Sequence, residues 1–151
     1  MNPPVKSAAV RFYIDADVLG LAKILVQVRP DVTYPGDPGG IVKGHRVRPP
    51  CPITDPSTPD YIWIPETARR QWLIITRDRH IQDHSAEIEA VRVSGARMVN
   101  LSGAEALDTF HQMEALMCQW QKVYALLDGP GPFIYSLTRT TLRLLPLHPS
   151  G

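Results

Sequence analysis

Cysteine is scarce in this chain: its 151 residues hold two, Cys51 and Cys118. One lies in a proline-rich stretch and the other in a helical pattern far away, so the sequence offers neither a disulfide framework nor a cysteine-based zinc site, and both are expected as free thiols. Long apolar runs are missing too. Nothing approaches the ~20 residues that a membrane helix needs. The stretch Met1-Asn2-Pro3-Pro4-Val5-Lys6 lacks the apolar core of a signal peptide. A soluble, cytoplasmic protein is the expectation. Excess charge of either sign is absent, with 16 Lys and Arg against 15 Asp and Glu, so no overall field selects or excludes a nucleic-acid partner. Internal repeats, low-complexity tracts and charged tails are not found. A chain of this length is expected as one domain, residues 1–151, able to bury its own core, with residues 1–8 as a flexible lead.

What is present reads as alternating strands and helices. Val10 to Asp15 is a short, mostly apolar run suited to a central strand covered on both faces. Val18 to Val28 places apolar residues at helical spacing until Pro30 ends the pattern. Asp31 to Tyr34 is a short second strand, followed by a stretch from Pro35 to Pro59 crowded with proline and glycine. That stretch reads as a long surface loop, with Lys43, His45, Arg46 and Arg48 available as a basic lip for phosphates.

Pro65 splits the next helical pattern, giving an expected turn at 60–64 and a helix at 65–71. Leu73 to Thr76 is the third strand, 85–93 a helix stopped by Gly95, and Arg97 to Leu101 the fourth strand. Ser102 and Glu105 form a capping-box signature. Beyond them a long helix is expected to Leu127, with Ala106, Phe110, Met113, Met117, Trp120, Tyr124 and Leu127 facing the core. Gly129-Pro130-Gly131-Pro132 breaks the chain before a closing strand or hairpin within 133–147. The alternation predicts an α/β fold, a three-layer α/β/α sandwich on a mainly parallel central sheet.

Acidic residues end two of those strands. Phe12-Tyr13-Ile14 runs into Asp15-Ala16-Asp17, and Leu73-Ile74-Ile75 into Thr76-Arg77-Asp78. In an open α/β sheet, ligands bind at the carboxyl ends of the strands, so these carboxylates can meet across one crevice. Converging carboxylates bind a hard divalent cation, Mg²⁺ or Mn²⁺, of the kind that drives phosphodiester hydrolysis. Asp15, Asp60 and Asp78 are the candidate ligands, with Asp17 beside Asp15 and Asp83 beyond Asp78 able to support them. Taken singly, an Asp at a strand or helix end also serves as a turn former or N-cap.

The segment Phe12-Tyr13-Ile14-Asp15-Ala16-Asp17, then Asp60 ahead of Ile74-Ile75-Thr76-Arg77-Asp78, resembles the PIN and PIN-like nuclease pattern. In that pattern an Asp closes the first strand, a second acid starts a helix and a Thr-x-Asp closes the third strand. The resemblance runs from Val10 to about Leu101, and the chain length is similar to that of VapC-type toxins. It implies a metal-dependent endoribonuclease, the toxin of a type II toxin–antitoxin pair, with Asp15, Asp60 and Asp78 as catalytic metal ligands and Asp17 or Asp83 completing an acidic quartet. It further implies that Thr76 orients a ligand and that Arg77, Arg79 and His80 contact RNA phosphates. An antitoxin protein covering the acidic groove is implied as a partner. A homodimer face could draw on Leu107, Leu116 and Trp120. The chain departs from the family in its long 35–59 stretch, in His80 where many members carry an acid, and in offering Glu66 as a rival to Asp60.

Two other readings compete. Asp15-Ala16-Asp17 also resembles the nucleophile and acid pair of haloacid dehalogenase-type phosphatases, although the later residues of that pattern do not follow. A PIN-like domain can also persist as a non-catalytic interaction module.

Overall fold

The computed structural model describes residues 6–42, 46–78 and 80–147. Its centre is a six-stranded sheet in the order β3-β2-β6-β7-β8-β9. The strands are β2 (Phe12–Ile14), β3 (Val32–Thr33), β6 (Leu73–Thr76), β7 (Arg97–Leu101), β8 (Phe133–Leu137) and β9 (Leu142–Leu144). All pairings are parallel except β8 with β9, a terminal hairpin. Among the described residues five α-helices accompany the strands: α1 (Leu19–Val28), α2 (Asp60–Arg69), α3 (Ser85–Ser94), α4 (Thr109–Cys118) and α5 (Trp120–Ala125). The α/β architecture expected from the sequence is the one observed.

The period of two along each strand divides the core into two layers. Phe12, Ile14, Leu73, Ile75, Val99 and Leu101 face α1, α4 and α5, where Leu21, Leu25, Leu116 and Val123 are buried against them. Tyr13, Ile74, Met98 and Ile134 face the other way, onto Trp63 and Ile64 of α2 and Ile88 and Val91 of α3. Tyr13 stacks on Trp63 and Trp72, at ring-centroid distances of 5.3 and 6.2 Å. Because parallel strands connect through helices that run back along the sheet, α2, α3 and α4 all begin at the carboxyl ends of the strands.

Four local expectations are revised. First, the 35–59 stretch is not one loop. It contains β4 (Gly40–Val42) and β5 (Arg46–Arg48), which join β1 (Lys6–Ser7) in a small second sheet. Part of the lead expected to be flexible is therefore paired, while residues 1–5 lie outside the described residues. Second, the basic lip does not form around Arg48. Its guanidinium is buried and grips the buried Asp37 carboxylate with two bonds, of 2.7 and 2.9 Å. Thr33 and the Gly39 N–H complete that carboxylate's partners. Gly39 has φ +78°, and a Cβ there would meet the Arg48 carbonyl at 2.5 Å, so this corner demands glycine. Lys43 and His45 lie outside the described residues.

Third, α2 runs through Pro65 from Asp60 onward. The carbonyl left without its donor is that of Tyr61, a residue 74% exposed, so water can satisfy it. Fourth, the long helix after Ser102 is replaced by a turn, then α4, then α5. Asp108 is the N-cap, accepting from the His111 N–H at 2.9 Å, and Ser102 instead contacts the Ser136 hydroxyl. The break at Gln119 rotates the apolar face. Ala115, Leu116 and Val123 are buried, whereas Phe110, Met117 and Tyr124 are exposed. Gly95 ends α3 in the left-handed conformation, φ +76°, as the sequence indicated.

Candidate metal centre

The polar residues that matter lie on one rung of the sheet. The parallel register pairs Thr76 with Asn100 and Asn100 with Ser136. Asp15 continues that row, its N–H bonding the Ile75 carbonyl at 2.9 Å. Each strand thus passes from apolar to polar at the same height and on the same face, the one that packs α2 and α3. Asp60 opens α2 and Glu87 lies in the first turn of α3, so both helices carry a carboxylate to the end of the sheet where the row sits.

Thr76 joins the first two acids. Its hydroxyl lies 2.9 Å from Asp15 Oδ2 and 3.0 and 3.3 Å from the two oxygens of Asp17. A hydroxyl has one proton to donate, so two ionised carboxylates here leave one oxygen facing a lone pair. The Ala16 N–H donates to Asp15 and the Arg77 N–H to Asp17, which fixes both without neutralising either. Burial raises Asp15 to about 6, with the Asp60 charge adding to it. Burial raises Asp17 to about 7, with Asp15 adding to it.

Asp78 is held through its backbone. Asn100, fully buried, accepts from the Asp78 N–H at 2.7 Å and donates to the Asp78 carbonyl at 2.8 Å. The Asp78 carboxylate then accepts from the His80 N–H at 2.9 Å and contacts His84 Nδ1. The ligand atoms of Asp78, His84 and Glu87 all lie within 4.8 Å of one another. Glu87 is pushed up to about 8, by burial first and then by the charges of Asp60, Asp78, Asp15 and Asp17. Five carboxylates therefore act on one another with no Lys or Arg side chain bonded to any of them among the described residues. Such a set is held together by protons or by a cation. Hard oxygen donors with one imidazole suit Mg²⁺ or Mn²⁺, and on these grounds the residues present fit a divalent ion.

The other named residues separate clearly. Asp60 faces this centre, although Trp63 Nε1 also donates to it at 2.9 Å. Glu66 does not, since Arg69 and Arg70 clasp its carboxylate at 2.6 and 2.7 Å and hold it below the usual range. The Asp83 carboxylate is exposed and turned to His80 at 3.9 Å, outside the cluster. Arg77 points to the far side of the sheet, where it donates to the Leu101 and Gly103 carbonyls, so its guanidinium is not offered to a phosphate from this position. The His80 ring is exposed and Arg79 lies outside the described residues. Of the apolar face named for self-association, Leu107 is exposed, Leu116 is buried, and the Arg29 guanidinium lies 4.7 Å from the Trp120 ring centroid.

Sequence reasoning missed Asn100, Glu87 and the contact of His84 with Asp78. Asn100 had a readable signal, a lone amide inside the apolar run Met98-Val99-Asn100-Leu101. Glu87 had none, because an acid in a first helical turn is explained by the dipole alone.

Among the described residues, no helix is long and apolar enough to cross a membrane. No curated protein and no solved structure matches the chain. A family model described as PIN like domain matches residues 11–103, which span Asp15, Asp17, Asp60, Thr76, Asp78, Glu87 and Asn100. With the match covering well over half of its length, and every member of the acidic cluster inside it, the chain belongs to the PIN-like domain family.

Proposed function

We propose that the protein is a metal-dependent endoribonuclease, the toxin of a type II toxin–antitoxin pair, which hydrolyses RNA phosphodiester bonds at the carboxylate cluster. The observation that carries the reading is that the Asp15, Asp17, Asp60, Asp78 and Glu87 carboxylates act on one another with no Lys or Arg side chain bonded to any of them among the described residues. PIN-like domains are commonly nucleases, and the family match supports that class.

Asp15, Asp60, Asp78 and Glu87 would hold the ion, which when bound supplies Lewis acidity to a phosphate and lowers the pKa of water. Thr76 fixes the Asp15 and Asp17 carboxylates relative to each other, and Asn100 fixes the loop that carries Asp78. Preset positions of this kind spare the site reorganisation during reaction. The exposed His80 ring, two residues after Asp78, would contact an RNA phosphate. RNA is then the substrate. The partner is a small protein whose Lys or Arg enters the acidic groove and replaces the ion with a charge-assisted contact. A second copy of the chain would dock through the exposed Leu107 region.

The test is cleavage of a mixed RNA pool by the purified chain with Mg²⁺ or Mn²⁺, alongside EDTA, Asp15→Asn and Asp78→Asn. Cleavage that requires metal and is lost in both folded variants supports the proposal. A folded protein that cleaves nothing with any divalent metal defeats it and favours an interaction module.

A further inference from the structure

We infer that His84 is a nitrogen ligand of the cation site, acting with Asp78 and Glu87, and that it makes the site prefer Mn²⁺ to Mg²⁺. This rests on the cluster being a cation site, but not on RNA being its substrate. His84 Nδ1 contacts Asp78 Oδ2 and lies 3.9 Å from Glu87 Oε2. Ligands of one ion, each bonded at about 2.0–2.3 Å, lie at most some 4–4.6 Å apart. The three donor atoms lie within 4.8 Å of one another, so a small inward shift of the exposed ring brings them to that spacing.

The fold holds the imidazole there. His84 is the residue between the short 3-10 turn Ile81–Asp83 and α3, with Ile81 buried before it and Ile88 after it. Glu87 follows three residues later, on the same face of the first turn. The two carboxylates are largely buried, at 17% and 11% side-chain exposure, while the ring keeps 52%. This leaves the ring edge open to solvent and its Nδ1 turned inward.

The chemistry of that donor differs from the rest of the cluster. Mg²⁺ strongly favours oxygen and keeps its waters, whereas Mn²⁺, further along the divalent series, accepts imidazole readily. Two residues after Asp78 the chain carries His80, whose ring is turned toward Asp83 at 3.9 Å. The inward nitrogen donor beside Asp78 is therefore His84.

A hydrogen bond from His84 to Asp78 alone would explain the contact without ligation, so the experiment reads the metal–nitrogen bond itself. Mn²⁺ is added to the full chain and pulsed EPR records nitrogen modulation, in natural-abundance protein and in protein carrying ¹⁵N-histidine. The expected result is a ¹⁴N signal that becomes ¹⁵N on labelling and disappears in His84→Gln. The Mn²⁺ over Mg²⁺ preference, measured by calorimetric competition, should fall about tenfold or more in that variant. The labelling arm uses the native sequence and so survives a variant that fails to fold. Bound Mn²⁺ with no histidine-nitrogen coupling overturns the inference, as does a coupling that persists in His84→Gln. Nitrogen-ligated Mn²⁺ in a protein that cleaves no RNA would sink the nuclease proposal and leave this one standing.

Discussion

Glu87→Gln should stabilise the protein stripped of metal at neutral pH, and the size of the effect follows from the site. The Glu87 carboxyl is held at about 8 instead of 4.5, mainly by burial and then by four neighbouring aspartates. A carboxyl raised in the folded state contributes its stabilisation in full below its unfolded value and loses it as pH rises through the folded one. For this group the window runs from about 4.5 to about 8. Proton linkage puts the loss between about pH 5 and about pH 7 at roughly 2.5 kcal/mol. In a chain of this length that is roughly 5–10 °C of melting temperature. The side chain is 11% exposed, so solvent screening removes little of it. Asp15 and Asp17 slope in the same direction, and the measured quantity is therefore the difference between variant and parent. Melting curves in EDTA should diverge as pH rises, the glutamine variant staying higher. Adding Mg²⁺ or Mn²⁺ should raise the parent far more than the variant. Parallel curves in EDTA across the whole window would refute the reasoning, because they would mean that Glu87 ionises freely in the fold.

Asp37→Ala should cost about 3–5 kcal/mol in urea unfolding, since it strands the buried Arg48 guanidinium; a loss under 1 kcal/mol would mean that the charge reaches water. Thr76→Val should keep the fold and weaken Mn²⁺ binding about 10–100-fold by calorimetry, because the hydroxyl between Asp15 and Asp17 is lost. Asp60→Asn should lower metal affinity at least about tenfold, while Glu66→Gln and Asp83→Asn leave it unchanged, as their carboxylates are engaged elsewhere or exposed. Asn100→Leu should cost roughly 1–3 kcal/mol and loosen Asp78, seen as faster hydrogen exchange at the Asp78 amide.

The centre of the sheet was legible because its inner strands are buried on both faces and therefore read as apolar runs, as in Leu73-Ile74-Ile75. Asp15, Thr76 and Asp78 were legible for the same reason, standing where those runs stop. What escaped the sequence depends on contacts across the fold. Arg48 looked like a solvent-facing cation until its partner Asp37, eleven residues earlier, was seen buried with it. Asp60 and Glu66 were indistinguishable as acids, and what separates them in the fold is that Arg69 and Arg70 pair with the Glu66 carboxylate and not with that of Asp60. Pro65 misled because its cost depends on whether the orphaned carbonyl is solvated, a property of burial and not of spacing. The helix beyond Ser102 misled because its apolar stripe changes phase at Gln119, where the side chain turns to the Arg139 carbonyl.

The most direct check on the account is the anomalous difference map of a crystal grown with Mn²⁺. The account predicts one strong peak between the carboxylates of Asp15, Asp60, Asp78 and Glu87, at the carboxyl end of β2 and β6. A map without a peak there, or with manganese held only by exposed groups such as Asp83, would contradict it.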